Sequence, residues 1–229
     1  SVVERVLPKH ERGVRFSLPA PGYNDMTSVL HSLKHVAYVR PKMGVVRAAN
    51  RLRGGLPIPP RSLIYTVGAT HLATSYLKYG KLGADSIRDV LQKNGVAFAD
   101  LGKVLDWGVG VGRVLRYFKG EGPELYGTDY NPSLIDWDRR HLPFARFQIN
   151  PLDGPLNYEN KQFDLVYALS VFTHLDETRQ KYWIKELARI IKPGGYLLFS
   201  AHGDSYRHVL GDTCRDAYDG WRRYRARTA

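Results

Sequence analysis

One cysteine, Cys214, stands in 229 residues. An internal disulfide needs two, and a zinc site built from several thiolates needs more, so both are excluded. The chain fits a reducing compartment such as the cytoplasm. Long apolar runs are missing as well: nothing approaches the roughly 20 consecutive apolar residues that cross a bilayer. The first residues carry Glu4, Arg5, Lys9 and Arg12 without an apolar segment, so no secretory leader is expected. Acidic residues are scarce. Lys and Arg number 34 against 22 Asp and Glu, a formal net charge of +12. The deficit is uneven: residues 1–60 hold Arg5, Lys9, Arg12, Arg15, Lys34, Arg40, Lys42, Arg47, Arg51 and Arg53 against only Glu4, Glu11 and Asp25, and Arg215 to Arg227 is basic too. Such a field attracts an anionic partner, whether a small molecule, nucleic acid or a membrane surface. No nucleic-acid-binding motif accompanies the charge, so a solvated basic extension is an equal reading.

What is present is globular. The chain is 43% hydrophobic and 24% charged, and its length suits one α/β domain with an extension. Three segments are expected: a basic, Pro-punctuated extension over 1–61, a domain over 62–204 and a basic tail over 205–229. Within the extension, apolar spacing predicts helices from Ser28 to Tyr38 and from Met43 to Leu52. From Arg61 the pattern becomes regular. A helix capped by Thr70 runs through Tyr76 and Leu77 and stops at Gly80; another spans Asp85 to Asn94. Strands and helices then alternate. Strands are expected at Val104–Trp107, Glu124–Thr128, Ala145–Ile149, Phe163–Leu169 and Tyr196–Ser200. Helices are expected at Val111–Phe118, Ser133–His141 and Asp176–Ile191, and a turn at Lys192–Gly195. That alternation implies right-handed crossovers and a doubly wound, mainly parallel sheet.

The most informative segment is Lys103 to Arg113, KVLDWGVGVGR. A buried strand ends in Asp106 and turns through Gly108, Gly110 and Gly112, letting main-chain N–H groups and a helix N-terminus approach a ligand. A dinucleotide fingerprint needs Gly-x-Gly-x-x-Gly, and its last position here is Arg113. Asp106 would repel a pyrophosphate and attract an ammonium or a sulfonium. A second acid, Asp129, ends the next strand (YGTD) 23 residues later, where it can accept from a ribose diol.

On these residues the domain resembles the class I S-adenosylmethionine-dependent methyltransferases. VLDWGVGVGR is similar to that family's first motif and YGTD to its second. FDLVYALSVFTHL (163–175) and KPGGYLLFS (192–200) are similar to its fourth- and fifth-strand region. Pro59 to Gly95 resembles the leader of a poorly characterised bacterial subgroup linked to sugar or polysaccharide modification. The resemblance implies a Rossmann-like sheet with S-adenosyl-L-methionine across the carboxyl ends of strands one to four. It implies that Asp106, Gly108 and Gly110 hold the methionine portion, with loop N–H groups free for its carboxylate, and that Gly112 lets a helix approach. Asp129 would bind the ribose hydroxyls and Tyr130 would flank the adenine. Asn150, Leu152 and Asp153 would border the base, with Asp153 accepting from its exocyclic amine. Leu169 and Ser170 would lie beside the reacting methyl. Turn chemistry is an equal account of Asn150 and Asp153, which sit among prolines and Gly154.

For a hydroxyl acceptor a general base is expected, and His174 is the best-placed candidate; packing on Phe172 at a helix entry is its alternative. His71 is weaker, as is His202 with Asp204. No metal is expected. Tyr65, Tyr76 and Tyr79 of the leader would cover the cofactor, Tyr76 serving the core as well. In the family a helix and an antiparallel hairpin, strands six and seven, follow strand five. About 25 residues follow Asp204 and show no alternating pair, so a sheet ending at an exposed strand five is expected. The expected function is methyl transfer to a hydroxyl or amine of a small-molecule or glycan-type acceptor, anionic if the charge is a guide. A nucleic-acid methyltransferase and a catalytically impaired interaction module are the alternatives.

Overall fold

A computed structural model describes residues 2–5, 15–17, 44–52, 54–68 and 72–201. The expected helix at 28–38, the Thr70 cap, His71, His202, Asp204, Cys214 and the tail lie outside the described residues. A helix α1 spans 44–52. It is followed by α2 (Arg61–Gly68), α3 (Ala73–Lys93), α4 (Pro132–His141) and α5 (Glu177–Ile190). The strands are β1 (Val2–Arg5), β2 (Arg15–Ser17), β3 (Lys103–Trp107), β4 (Glu124–Asp129), β5 (Ala145–Ile149), β6 (Phe163–Ala168) and β7 (Ile191–Ala201).

They form one sheet in the order β2-β1-β7-β6-β3-β4-β5. Pairs from β7 to β5 are parallel; β1 is antiparallel to both β7 and β2. The chain winds outward from β3 through β4 to β5, then returns to β6 and winds the other way. That reversal beside β3 is the switch point where such sheets bind ligands. As the central strand, β3 is buried on both faces. Val104 joins a core with Tyr76, Leu115, Phe118 and Ile135 under α3 and α4. Leu105 and Trp107 join a second core with Phe163, Trp183 and Leu187 under α5. At the edge strand β5 only Phe147 is buried.

Local chemistry sets the helix starts. Asn131 accepts from the Ser133 amide (3.0 Å) with Pro132 at the first position of α4, and Asp176 accepts from the Arg179 amide (2.9 Å) at α5. Arg139, Arg140 and His141 occupy the last turn of α4, where cations suit the dipole.

Four expectations are corrected. The helix expected at Val111–Phe118 is absent: turns lead into a 3-10 segment at Leu115–Phe118, because Gly108, Gly110 and Gly112 all take positive φ (81°, 61° and 61°), which a right-handed helix cannot contain. The two helices expected to either side of Gly80 are one, α3. Gly80 does not stop it; a Cβ there would meet the Arg113 carbonyl oxygen, so the glycine serves close packing. The Lys192–Gly195 turn is instead an irregularity inside β7, between the pairs Phe163–Ile191 and Leu165–Tyr196. Finally, β7 is not an edge, for β1 pairs with it from Val2–Ala201 to Arg5–Leu198.

Candidate active site

A cavity of about 560 Å³ opens at the carboxyl ends of β3, β4 and β6. Ten of the residues singled out from the sequence line it: Asp106, Gly108, Gly110, Asp129, Tyr130, Asn150, Leu152, Leu169, Ser170 and His174. Trp107 forms part of its wall, held against Trp183 (ring centroids 4.7 Å apart) and Phe172 (5.4 Å).

The glycine loop is shaped by what surrounds it. A Cβ on Gly108 would lie 2.4 Å from Val171 Cγ2, and one on Gly110 would lie 2.8 Å from Val67 Cγ1, so both positions exclude a side chain. The loop is stitched to β4: the amides of Gly108 and Val109 donate to the Thr128 carbonyl (2.8 and 3.0 Å), and that of Gly110 donates to Asp129 Oδ2 (3.0 Å). These N–H groups, expected to be free for an anionic ligand group, are therefore already satisfied, and no helix N-terminus stands behind them.

Asp106 is 4% exposed and accepts from the Tyr167 hydroxyl (2.9 Å) at Oδ2. Burial pushes its carboxyl up to about 7; the Tyr167 hydrogen bond and the nearby Arg113 guanidinium oppose the rise. Asp129 is 7% exposed. Its two oxygens accept from the amides of Gly110 and Asn131 (3.0 Å each), and burial raises its carboxyl above the usual range. Each oxygen keeps acceptor capacity for a diol. Asn150 bridges elements, accepting from the Thr128 hydroxyl (3.0 Å) and donating to the Pro151 carbonyl (2.8 Å). Tyr130 and Leu152 are 57% and 62% exposed, forming lips on either side of the β4 end.

On the β6 side, Ser170 takes φ 63°, rare outside glycine, and its amide donates to the Ser200 hydroxyl (2.6 Å). Such a conformation persists only when neighbours hold it, and it often marks a working site. His174 ends the 3-10 turn Phe172–His174, exposed at the cavity, and its ring has no hydrogen-bond partner among the described residues.

Two residues do not join the cavity wall. Gly112 lies behind the loop, where a Cβ would lie 2.2 Å from Leu142 Cδ1, so it serves the approach of α4. Asp153 is exposed and held by Arg179, whose Nε and Nη2 donate to it at 2.9 and 3.2 Å. The sequence reading had it accepting from the adenine amine; here a guanidinium occupies that carboxylate. Residues missed in the sequence include Arg113, Thr66, Val67, Arg179 and Trp183, all in the wall. Arg113 was in view as the residue that broke the dinucleotide pattern, but its charge was not weighed.

Residues 105–199 match the sequence model of a family described as a methyltransferase domain. A ubiquinone biosynthesis O-methyltransferase of Coxiella burnetii is 29% identical over 110 residues, which cover 47% of this chain and 46% of that protein. A tRNA N(3)-methylcytidine methyltransferase of Schizosaccharomyces pombe is 27% identical, with 44% of each chain covered. The chain thus spans less than half the length of these relatives. Among solved structures, the PH0226 protein of Pyrococcus horikoshii OT3 is 24% identical with a TM-score of 0.45, covering 52% of this chain and 56% of that one. A TehB-like S-adenosylmethionine-dependent methyltransferase of Corynebacterium glutamicum is 25% identical with a TM-score of 0.41, covering 53% and 72%. Residues 105–199, with the sheet they build, belong to the class I S-adenosylmethionine-dependent methyltransferase family.

Proposed function

We propose that the chain transfers the methyl group of S-adenosylmethionine to a hydroxyl or amine of a small-molecule or glycan-type acceptor. One observation carries this reading: a single cavity at the switch point unites the side-chain-free glycine loop, two buried acids at adjacent strand ends and, across β6, the strained Ser170 with His174. The residues fit the cofactor. Asp106 would hold its ammonium end, Asp129 its ribose hydroxyls, and Tyr130 and Leu152 would sandwich its base. A bound S-adenosylmethionine supplies a methyl group already activated for in-line attack. The chain's own task is then alignment, exclusion of water and proton removal. Leu169, Val171 and Leu175 give the acceptor side an apolar wall. For a hydroxyl acceptor, the imidazole of His174 takes the proton. Asp153 and Gly112 have no direct contact with the cofactor in this reading: one pairs with Arg179 and the other seats α4.

Calorimetric titration with S-adenosylhomocysteine and with NAD tests the ligand. Binding of the first and not the second is expected, and Asp129→Ala weakens it by about 1–3 kcal/mol through loss of charge-assisted hydrogen bonds. An unchanged affinity in that variant removes the ribose assignment. A nucleic-acid acceptor is favoured by the formal charge of +12 and by the likeness to a tRNA methyltransferase. Tight RNA binding with a steep salt dependence would support that acceptor over a neutral glycan.

A further inference from the structure

The cavity wall holds charges that the glycine-loop chemistry leaves unused. Three cationic or ionisable nitrogen side chains line it: Arg113, His174 and Arg179. Arg179 is committed to Asp153 and Asp176. Arg113 is different. Among the described residues its guanidinium donates no hydrogen bond and belongs to no ion pair, although it is largely enclosed. Burial lowers its pKa, opposed by the fields of Tyr76 and Asp106. An enclosed guanidinium with five N–H donors and no acceptor is costly unless a ligand completes it. Its backbone is pinned, since its carbonyl packs against α3 where Gly80 has no side chain, so the charge is held at this point of the wall.

The ligand group it lacks is an anion, and the site offers no other donor set for one. The amides of Gly108, Val109 and Gly110 are spent on β4, and the loop leads into turns rather than into an α-helix. Beside Arg113 stands Asp106, close enough for each to perturb the other's protonation, with no hydrogen bond between them. One oxygen of Asp106 takes the Tyr167 hydroxyl, which leaves the other for a ligand. A carboxylate and a guanidinium side by side, each unspent toward the other, match an amino-acid zwitterion.

Resting on the cofactor reading above, we propose that Arg113 binds the α-carboxylate and Asp106 the α-ammonium of the methionine portion, so that this pair, rather than loop amides, reads the amino-acid end of the cofactor. Arg113 is then a specificity residue for the carboxylated ligand.

The test compares S-adenosylmethionine with its decarboxylated analogue, which keeps adenosine, sulfonium and ammonium and lacks only the carboxylate. The readout is calorimetric affinity, independent of any acceptor. The full-length wild-type protein is expected to prefer the carboxylated ligand by about ten- to hundredfold, the worth of a charge-assisted hydrogen bond. Arg113→Gln is expected to erase that preference by weakening only the carboxylated ligand. Arg113→Lys, which keeps the charge without the fork, retains part of it. Equal loss for both ligands in Arg113→Gln would make the residue structural and overturn the inference. A wild-type protein that binds both ligands equally overturns it without any variant. A wild-type protein that binds neither overturns the cofactor reading itself, an outcome distinct from the other two. Thermal melting of each variant reports folding; if Arg113→Gln does not fold, the wild-type preference and Arg113→Lys decide.

Discussion

Three carboxyls crowd the glycine loop, and they were not equally visible in the sequence. Asp106 and Asp129 were legible because each closes an apolar strand, a position at which an acid has few structural uses. Asp138 was not: within LIDWDRRH it reads as a solvated helix acid. In the fold it is 0% exposed, both oxygens lack a partner, and burial pushes its pKa up to about 9, helped by the fields of Asp106 and Asp129. Its burial follows from the closeness of α4 to Gly112, a tertiary fact no local pattern contains. The consequence for stability has a definite sign. An acid whose folded pKa lies above its unfolded value of about 3.9 holds its proton in the folded state while the unfolded chain releases it. Stability is therefore full at low pH and falls as pH rises from about 4 toward 9. Asp106 adds to the fall up to about 7. The ligand-free protein should melt at lower temperature at pH 8.5 than at pH 5.5, and Asp138→Asn should flatten that slope and raise the melting temperature at pH 8.5. Parallel slopes for the two proteins would mean that Asp138 is ionised and paired in solution.

At the scale of elements, β3 through β7 were legible because central parallel strands are short apolar runs with turn residues at their ends. What failed were inferences from glycine. Gly80 reads as a helix stop and Gly108–Gly112 as a helix start; the fold reverses both. Glycine marks a place where a side chain is unwanted, and sequence alone does not say whether backbone dihedrals or a neighbour exclude it. For Gly80 the neighbour decides. Helix propensity alone predicts that Gly80→Ala stabilises α3 by about 1 kcal/mol. The added methyl would instead lie 2.1 Å from the Arg113 carbonyl oxygen and 3.0 Å from Tyr117 Cε2. Backbone cannot swing aside as a side-chain tip can, so overpacking outweighs propensity, for a net loss of about 1–3 kcal/mol. Urea denaturation measures it. A gain in stability would show that α3 stands farther from the loop than these contacts require, and the pinning of Arg113 would go with it.

Across the whole molecule, the reading from sequence had the sheet ending at its fifth parallel strand, because the hairpin was sought after that strand. The neighbour of β7 instead comes from the start of the chain, where β1 and β2 form an antiparallel pair. Two short runs, VVER and RFS, carry little strand signal in a Pro-punctuated, basic segment. Their assignment depends on a partner nearly 200 residues away, which no local window sees. An unpaired β7 would present a row of free N–H and C=O groups that invites association. The role of β1 is testable at one position. Because β1 lies between β7 and β2, every N–H along it faces one strand or the other. Proline at Val3 therefore removes a ladder bond whichever side that N–H faces, and proline is disfavoured inside a sheet for this reason. Val3→Pro should release the β1-facing amides among residues 198–201 to faster hydrogen exchange, leave those of β3 and β4 protected, and raise concentration-dependent association in light scattering. Exchange at 198–201 that is equally fast in the unsubstituted protein would refute the pairing, and the edge of β7 would then need another cover.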